Sequence, residues 1–204
     1  MPKKFTPRPY QEIAISHVLK YLRCAVWLPM GMGKSAVILS ALNRLSVVEQ
    51  VYPALILAPL RVARDTWPDE QKKWTDFSHI KISAIVGDAE SRIRATKVKA
   101  DIYTCNYENL VWLIDYYGDK WPFVTVIADE SIKLKNFRSR QGGKRSGALG
   151  KIAFSKIFRR ISEQHMGLYL CVSSYDFFGL GMKWGSKLKR FGIFETFSGL
   201  STNI

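Results

Sequence analysis

Apolar runs and helical stretches alternate along the first 130 positions of the chain. Strands are predicted at residues 24–28, 54–57, 82–86, 101–104 and 124–128, most of which are short, largely apolar runs of the kind that form buried strands. Helices are predicted between them at residues 34–45, 62–74, 88–97 and 107–116. A first helix is predicted to begin at Pro9, because proline favours the first helical position. Such alternation predicts a three-layer α/β fold, in which helices cover both faces of a parallel sheet.

The first apolar run leads into a glycine-rich turn. Gly31 and Gly33 allow positive φ angles, so successive N–H groups of the turn can point inwards and bind phosphate oxygens. The next helix adds its positive dipole end, while Lys34 would reach the β- and γ-phosphates and Ser35 would ligate magnesium. The strict motif has glycine where this chain has Leu28, and a glycine turn before a surface lysine is the alternative interpretation. The predicted phosphate-binding loop consists of Met30, Gly31, Met32, Gly33, Lys34 and Ser35.

The apolar run at residues 124–128 ends in the acidic pair Asp129 and Glu130. The carboxyl ends of parallel strands are where an open α/β sheet binds ligands. Asp129 would hold Mg²⁺, directly or through water, and Glu130 would polarise the attacking water. A solvated acidic pair is the alternative, which the upstream loop disfavours.

The two motifs resemble those of a known family. Residues 31–35 and 129–131 are similar to motifs I and II of superfamily 2 helicases, which are DEAD/DEAH-like. The flanking residues resemble the SNF2-related branch, especially the short forms carried by bacteriophages, which also lack the leading glycine. Lys135-Asn136 matches the pair that follows motif II in that branch, whereas Ile132 stands where many relatives have histidine. The resemblance runs from about residue 5 to residue 161 and implies an N-terminal RecA-like lobe of the P-loop NTPase type.

Further motifs extend the resemblance. Residues 8–11 resemble the Q motif, which implies that Gln11, with Arg8 beside it, lies at the adenine. Residues 58–60, with Trp67 and Glu70 of the helix that follows, resemble motif Ia, and residues 104–108 resemble motif Ib. The nucleic-acid contacts predicted from these motifs and from the basic run after motif II are Arg61, Asn106, Lys133, Lys135, Arg138 and Arg140.

The net charge of +14 indicates a polyanionic partner. Residues 131–160 contain ten basic side chains and no acidic one, which suits a salt-sensitive attraction to the DNA backbone that is independent of base sequence. A solvated basic face without a partner is the alternative. Three scattered cysteines and three scattered histidines predict neither a disulfide framework nor a metal cluster. Without an 18-residue apolar run or a signal peptide, the sequence predicts a cytoplasmic protein without a membrane partner, in the bacterial host if phage-encoded.

The chain changes character after residue 161. The family's motif III is missing there, and residues 162–204 are rich in glycine, serine and aromatic residues, with Cys171 and Val172 as strand candidates. We therefore predict a RecA-like lobe at residues 1–161 and an irregular, atypical tail at residues 162–204. A frameshift or truncation, or a divergent tail, would each produce this pattern.

The resemblance implies the ATP-binding motor lobe of a DNA-dependent ATPase, an SNF2-like helicase or translocase that uses ATP and Mg²⁺. Glu130 and Lys34 would be its catalytic residues. A second RecA-like lobe, supplied in trans, would contribute arginines, so this chain alone is expected to bind Mg-ATP weakly and hydrolyse it slowly. A basic nucleic-acid-binding module with a relic nucleotide pocket and a single-lobe P-loop kinase-like enzyme remain alternatives.

Overall fold

One parallel sheet organises the molecule. The computed structural model describes residues 1–21, 23–129, 168–173 and 195–198. Within them, the strands follow the spatial order β3-β4-β2-β5-β6-β1-β7. Their bounds are β1 Arg23–Leu28, β2 Ala54–Ala58, β3 Ile82–Ile85, β4 Ile102–Asn106, β5 Thr125–Asp129, β6 Leu168–Ser173 and β7 Glu195–Ser198.

Helices cover both faces of this sheet, as the sequence predicts. Their bounds are α1 Pro9–Lys20, α2 Lys34–Leu45, α3 Trp67–Lys73, α4 Ala89–Lys97 and α5 Leu110–Tyr117. On one face of the sheet, an apolar core joins α1, α2 and α3 to strand side chains such as Val26 and Ile56. On the other face, a second core joins α4 and α5 to the neighbouring residues of the same strands, such as Trp27 and Leu57. Strands β2, β4 and β5 are buried at every residue, which explains their continuous apolar character. The predicted three-layer α/β fold is confirmed.

Two predicted helices are interrupted at their starts. The helix predicted at residues 62–74 begins as the five-residue π-helix Val62–Thr66 and only then becomes α3. The helix predicted at residues 107–116 begins as the 3₁₀ turn Tyr107–Asn109. Apolar spacing does not distinguish these forms, because they differ in the carbonyl that each N–H bonds rather than in composition. Both interruptions follow strands whose carboxyl ends lie at the candidate site.

Strands β6 and β7 come from the segment that the sequence analysis assigned to an atypical tail. β6, which includes the predicted strand residues Cys171 and Val172, lies between β1 and β5 and pairs with both. β7 pairs with the other side of β1. The domain boundary at residue 161 stays a prediction. β6, which lies beyond that residue, pairs both with the strand that precedes the glycine turn and with the strand that ends at Asp129.

Cys24 and Cys105 are the cysteines whose side chains the structure describes. Cys24 and Cys105 are fully buried, and burial raises the pKa of each thiol to about 12, so neither is a ready nucleophile. No described helix combines the length and apolar character needed to cross a membrane.

Candidate nucleotide site

The turn after β1 has the backbone that the glycine pattern predicts. Gly31 and Gly33 have φ angles of 79° and 71°. Gly33 is the N-cap of α2, no side chain caps that helix, and its first turn contains no acidic residue. The first N–H groups of α2 therefore remain available to an anion at the positive end of the helix dipole.

Lys34 lies against the beginning of the same turn. Its Nζ donates hydrogen bonds to the backbone carbonyls of Leu28 and Pro29, each at 3.2 Å. The ammonium group is thus held at the carboxyl end of β1, beside the N-terminus of α2. This placement concentrates positive charge where the loop presents its N–H groups.

The start of α1 holds the loop from the other side. Gln11 Nε2 donates to the Met32 carbonyl at 3.1 Å, and the Tyr10 hydroxyl donates to the same carbonyl at 3.3 Å. Gln11 Oε1 accepts from the backbone N–H of the exposed Arg8 at 2.9 Å, so both ends of the buried amide have a partner. Gln11 keeps one N–H and one acceptor lone pair for another ligand, and it also fixes the top of the phosphate loop.

Alanine at position 33 is expected to disrupt the loop. An added Cβ would lie 2.6 Å from Gln11 Nε2, and a positive φ costs a non-glycine residue about 1–2 kcal/mol. Because the amide must move away from Met32, we expect Gly33→Ala to weaken nucleotide binding by at least about tenfold, which is about 1.4 kcal/mol. Fluorescent-nucleotide titration would measure this change.

Gly118→Ala is the matched control for the loop variant. Gly118 also has a positive φ of 49°, but its added Cβ meets nothing within 4 Å. It is the C-cap of α5, which packs on the opposite face of the sheet from α2. Equal losses of nucleotide affinity in the two variants would mean that backbone strain alone, rather than the contact with Gln11, explains the effect.

Asp129 ends β5 and is held by two aromatic side chains. The Trp67 indole Nε1 donates to Asp129 Oδ2 at 3.1 Å, and the Tyr107 hydroxyl donates to the Asp129 backbone carbonyl at 2.7 Å. Asp129 is 5% exposed, and both aromatic residues are 1% exposed. A carboxylate so enclosed has a defined position at the edge of the sheet.

The loop and Asp129 meet at one edge of the sheet. In β6, Cys171 pairs with Asp129 on one side and with Val26 on the other, so β1 and β5 are one strand apart, roughly 10 Å. Leu28 lies two residues further along β1, towards the same edge. Of the predicted site residues, the structure therefore brings together the loop residues 30–35 with Arg8 and Gln11 beside them, and Asp129. Glu130 lies outside the described residues.

These groups fit Mg²⁺ and a triphosphate. The Ser35 hydroxyl and the Asp129 carboxylate are hard oxygen donors, and magnesium uses one or two such protein ligands together with phosphate oxygens and water. No cluster of three or more His, Cys, Asp or Glu residues that could hold a metal occurs in the described ranges. A serine hydroxyl and one carboxylate suit a metal that arrives with a nucleotide, whose phosphates supply further oxygen ligands.

A second feature lies further along the same edge, where β2, β4 and β3 end. It is a cavity of about 230 Å³ lined by Leu60, Arg64, Val86, Gly87, Asn106 and Asn109. Arg61, a predicted nucleic-acid contact, is exposed beside it, whereas Asn106 is only 6% exposed. The Asn106 amide donates to Glu108 and accepts from Asn109, so it organises the cavity wall. The predicted contacts Lys133, Lys135, Arg138 and Arg140 lie outside the described residues.

Sequence reasoning missed the structural roles of Trp67 and Tyr107. The sequence places Trp67 in motif Ia and Tyr107 in motif Ib, each within a predicted helix, and predicts no contact of either with Asp129. Trp67 is 62 positions from Asp129 and Tyr107 is 22, so local spacing contains no signal for either contact. The one available hint is that both follow strands expected to end at the same edge as β5.

Comparisons with known proteins give a family match and a phage relative. The family model for DEAD/DEAH box helicases matches residues 8–139, more than half of the chain. Protein p41 of Acyrthosiphon pisum secondary endosymbiont phage 1 is 52% identical over 162 residues, which cover 78% of this chain and 35% of that protein. This chain therefore spans about a third of the length of that relative.

Two solved structures share the fold. The Sulfolobus solfataricus SWI2/SNF2 ATPase core in complex with dsDNA matches 95% of this chain and 39% of its own, with a TM-score of 0.62 and 19% identity. The UvsW helicase from bacteriophage T4 matches 95% of this chain and 60% of its own, with a TM-score of 0.63 and 18% identity. The motifs, the RecA-like fold and the family-model match together establish that this chain belongs to the DEAD/DEAH box helicase family.

Proposed function

We propose that this chain is the ATP-binding motor lobe of an SNF2-like, DNA-dependent ATPase. The observation that carries the proposal is the convergence at one sheet edge of the loop after β1, with Lys34 folded against it, and of Asp129 at the end of β5. A cationic cradle and a carboxylate at this separation suit a magnesium-bound triphosphate.

The proposed roles follow from the chemistry of each group. The N–H groups of residues 30–35 bind the phosphates, and Lys34 neutralises their charge. Ser35 and Asp129 would hold Mg²⁺, which would neutralise phosphate charge. Glu130, the next residue after Asp129, orients the attacking water. Gln11 and Arg8 lie at the adenine side, where the free N–H and lone pair of Gln11 suit the edge of that base.

DNA is the proposed partner of the same sheet edge. Arg61 and Arg64 lie beside the cavity at the ends of β2, β4 and β3, and the solved SWI2/SNF2 ATPase core with this fold is in complex with dsDNA. Phosphate contacts by exposed arginines are insensitive to base sequence and weaken with salt. The ten basic residues between positions 131 and 160 would extend this contact.

The lobe is proposed to need a second lobe for efficient turnover. Arginines from a partner site raise phosphoryl-transfer rates by roughly 10³–10⁵ in related enzymes. This chain covers 35% of its phage relative, so those arginines would come from a further part of such a protein or from another chain. We therefore expect weak binding of Mg-ATP and slow hydrolysis by this chain alone.

A single-turnover ATPase assay with and without single- and double-stranded DNA tests the proposal. We expect slow hydrolysis that double-stranded DNA accelerates, and a drop of about 10²-fold or more in Glu130→Gln, because the base that positions water is lost. Binding of Mg-ATP should change by less than about twofold, since glutamine retains the shape of the side chain.

Three results would contradict the proposal. Hydrolysis that is equal in wild type and Glu130→Gln would remove the role of the acidic pair. Salt-dependent DNA binding that ignores ATP, without any hydrolysis, would favour the basic module with a relic pocket. Transfer of phosphate to a small-molecule acceptor would favour a kinase-like enzyme.

A further inference from the structure

Trp67 makes a buried polar contact that packing alone does not require. Its side chain is 1% exposed, and its one N–H group donates to Asp129 Oδ2 at 3.1 Å. Buried tryptophans usually find a partner for this N–H, but a backbone carbonyl would serve as well as a carboxylate. The partner here is the side chain to which we assign Mg²⁺.

The chain between β2 and α3 is built to present this indole. The π-helix Val62–Thr66 precedes Trp67, and the Trp67 backbone N–H bonds the Val62 carbonyl. Thr104, a buried residue of β4, donates its hydroxyl to the Ala63 carbonyl at 2.6 Å and so ties this turn to the sheet. π-Helical turns redirect the residues that follow them and occur often at functional sites.

Hydrogen bonds from two different elements reach Asp129. Trp67 binds its carboxylate, and Tyr107, which follows β4, binds its backbone carbonyl. The two contacts together fix both the end of β5 and the rotation of the carboxylate about its side-chain bonds. Side chains that orient a metal ligand in this way typically change metal affinity about 10- to 100-fold when mutated.

We propose that Trp67 is a positioning residue for magnesium binding: its indole N–H holds one oxygen of Asp129 and thereby sets the orientation in which the carboxylate meets the metal. This inference rests on the proposed function, in which Asp129 is a magnesium ligand. In this proposal the Trp67 ring packs in the core, whereas its indole N–H orients Asp129, because an N–H group contributes nothing to apolar packing.

Trp67→Phe is the test variant, because it keeps an aromatic ring and removes the N–H. Binding of a fluorescent ADP analogue is measured in EDTA and over a Mg²⁺ titration. We expect the ADP affinity of the variant in EDTA to lie within about twofold of the wild-type affinity. The Mg²⁺ concentration at which the metal raises ADP affinity should be about tenfold or more higher in the variant than in wild type. Mn²⁺ binding followed by electron paramagnetic resonance gives the same comparison without any hydrolysis.

Trp74→Phe is the matched control. The Trp74 indole also donates to a carboxylate, Glu70 Oε1 at 2.9 Å, but Glu70 lies beyond the site on α3. This control should leave the Mg²⁺ requirement unchanged. Both variants are compared with wild type by thermal unfolding, so that a loss of folded protein is visible.

The possible outcomes separate this inference from the proposed function. A wild-type protein whose ADP binding ignores Mg²⁺ would overturn the magnesium site itself. A wild type that responds to Mg²⁺, together with a Trp67→Phe variant of equal Mg²⁺ requirement, would overturn only the role of Trp67. Equal losses in EDTA and in Mg²⁺ would assign Trp67 a purely structural role and would also overturn the inference.

Wild-type protein provides the test if Trp67→Phe does not fold. The chain has six tryptophans, and their indole N–H signals can be followed by ¹⁵N NMR. We expect an indole signal to move between ADP in EDTA and ADP with Mg²⁺, as Trp67 is hydrogen-bonded to the metal ligand. Indole signals that all stay in place would contradict the proposal.

Discussion

Lys34→Ala is expected to abolish nucleotide binding. The Lys34 ammonium lies at the carbonyls of Leu28 and Pro29, at the mouth of the phosphate loop, and it is the proposed charge partner of two phosphates. Charge-assisted hydrogen bonds contribute about 1.5–3 kcal/mol each, so losing two corresponds to an affinity about 10²–10⁴-fold weaker. Titration with a fluorescent ATP analogue in the presence of Mg²⁺ measures this loss.

Lys97→Ala is the control for the Lys34 variant. Lys97 is an exposed residue of α4, on the opposite face of the sheet from α2, so its removal lowers the net charge by the same amount without touching the loop. We expect wild-type affinity in this control. Nucleotide affinity that survives Lys34→Ala, or that falls equally in both variants, would count against the assignment of the loop.

Leu170→Pro is expected to unfold the sheet at its centre. Leu170 of β6 pairs with Ala25 of β1 and with Ala128 of β5. Proline lacks the N–H that a central strand needs, and a buried carbonyl left without its donor costs about 1–3 kcal/mol, to which the distortion of both neighbouring strands adds. Because domains are stable by only about 5–15 kcal/mol, we expect a large fall in the urea midpoint and loss of nucleotide binding.

Leu170→Val is the matched variant at the same position. Valine keeps the backbone N–H and suits a strand, so the urea midpoint and nucleotide affinity should stay close to those of wild type. A Leu170→Pro protein with the wild-type urea midpoint would contradict the position of β6 between β1 and β5.

Local patterns are sufficient to predict much of this fold. Residues 54–57 and 124–128 are predicted strands and are found in Ala54–Ala58 and Thr125–Asp129, because strands buried on both faces must be continuously apolar. Asp88, the first residue of the helix predicted at residues 88–97, is its N-cap and accepts a hydrogen bond from the Ser91 backbone N–H at 2.7 Å, since capping depends only on neighbouring residues. The positive φ angles of Gly31 and Gly33 follow from the same kind of local constraint.

Contacts between distant parts of the chain are not encoded in such patterns. β6 lies between β1 and β5 because it pairs with both of these strands. The irregular composition after residue 161 contains no signal that predicts this pairing. The π-helix before α3 rotates Trp67 towards Asp129, although apolar spacing predicts an uninterrupted helix there. The candidate site residues can therefore be proposed from separate motifs, whereas the contacts of Asp129 with Trp67 and Tyr107 require the structure.

A crystal structure of this chain with Mg²⁺ and a non-hydrolysable ATP analogue tests most directly whether Lys34 and Asp129 bind the same triphosphate. We expect one triphosphate that meets both halves of the site. Lys34 Nζ should lie about 2.7–2.9 Å from β- or γ-phosphate oxygens, and the metal should lie about 2.1 Å from Ser35 Oγ and reach Asp129 directly or through one water. A triphosphate that contacts Lys34 while its metal lies away from Asp129, or that binds elsewhere on the molecule, would contradict the account.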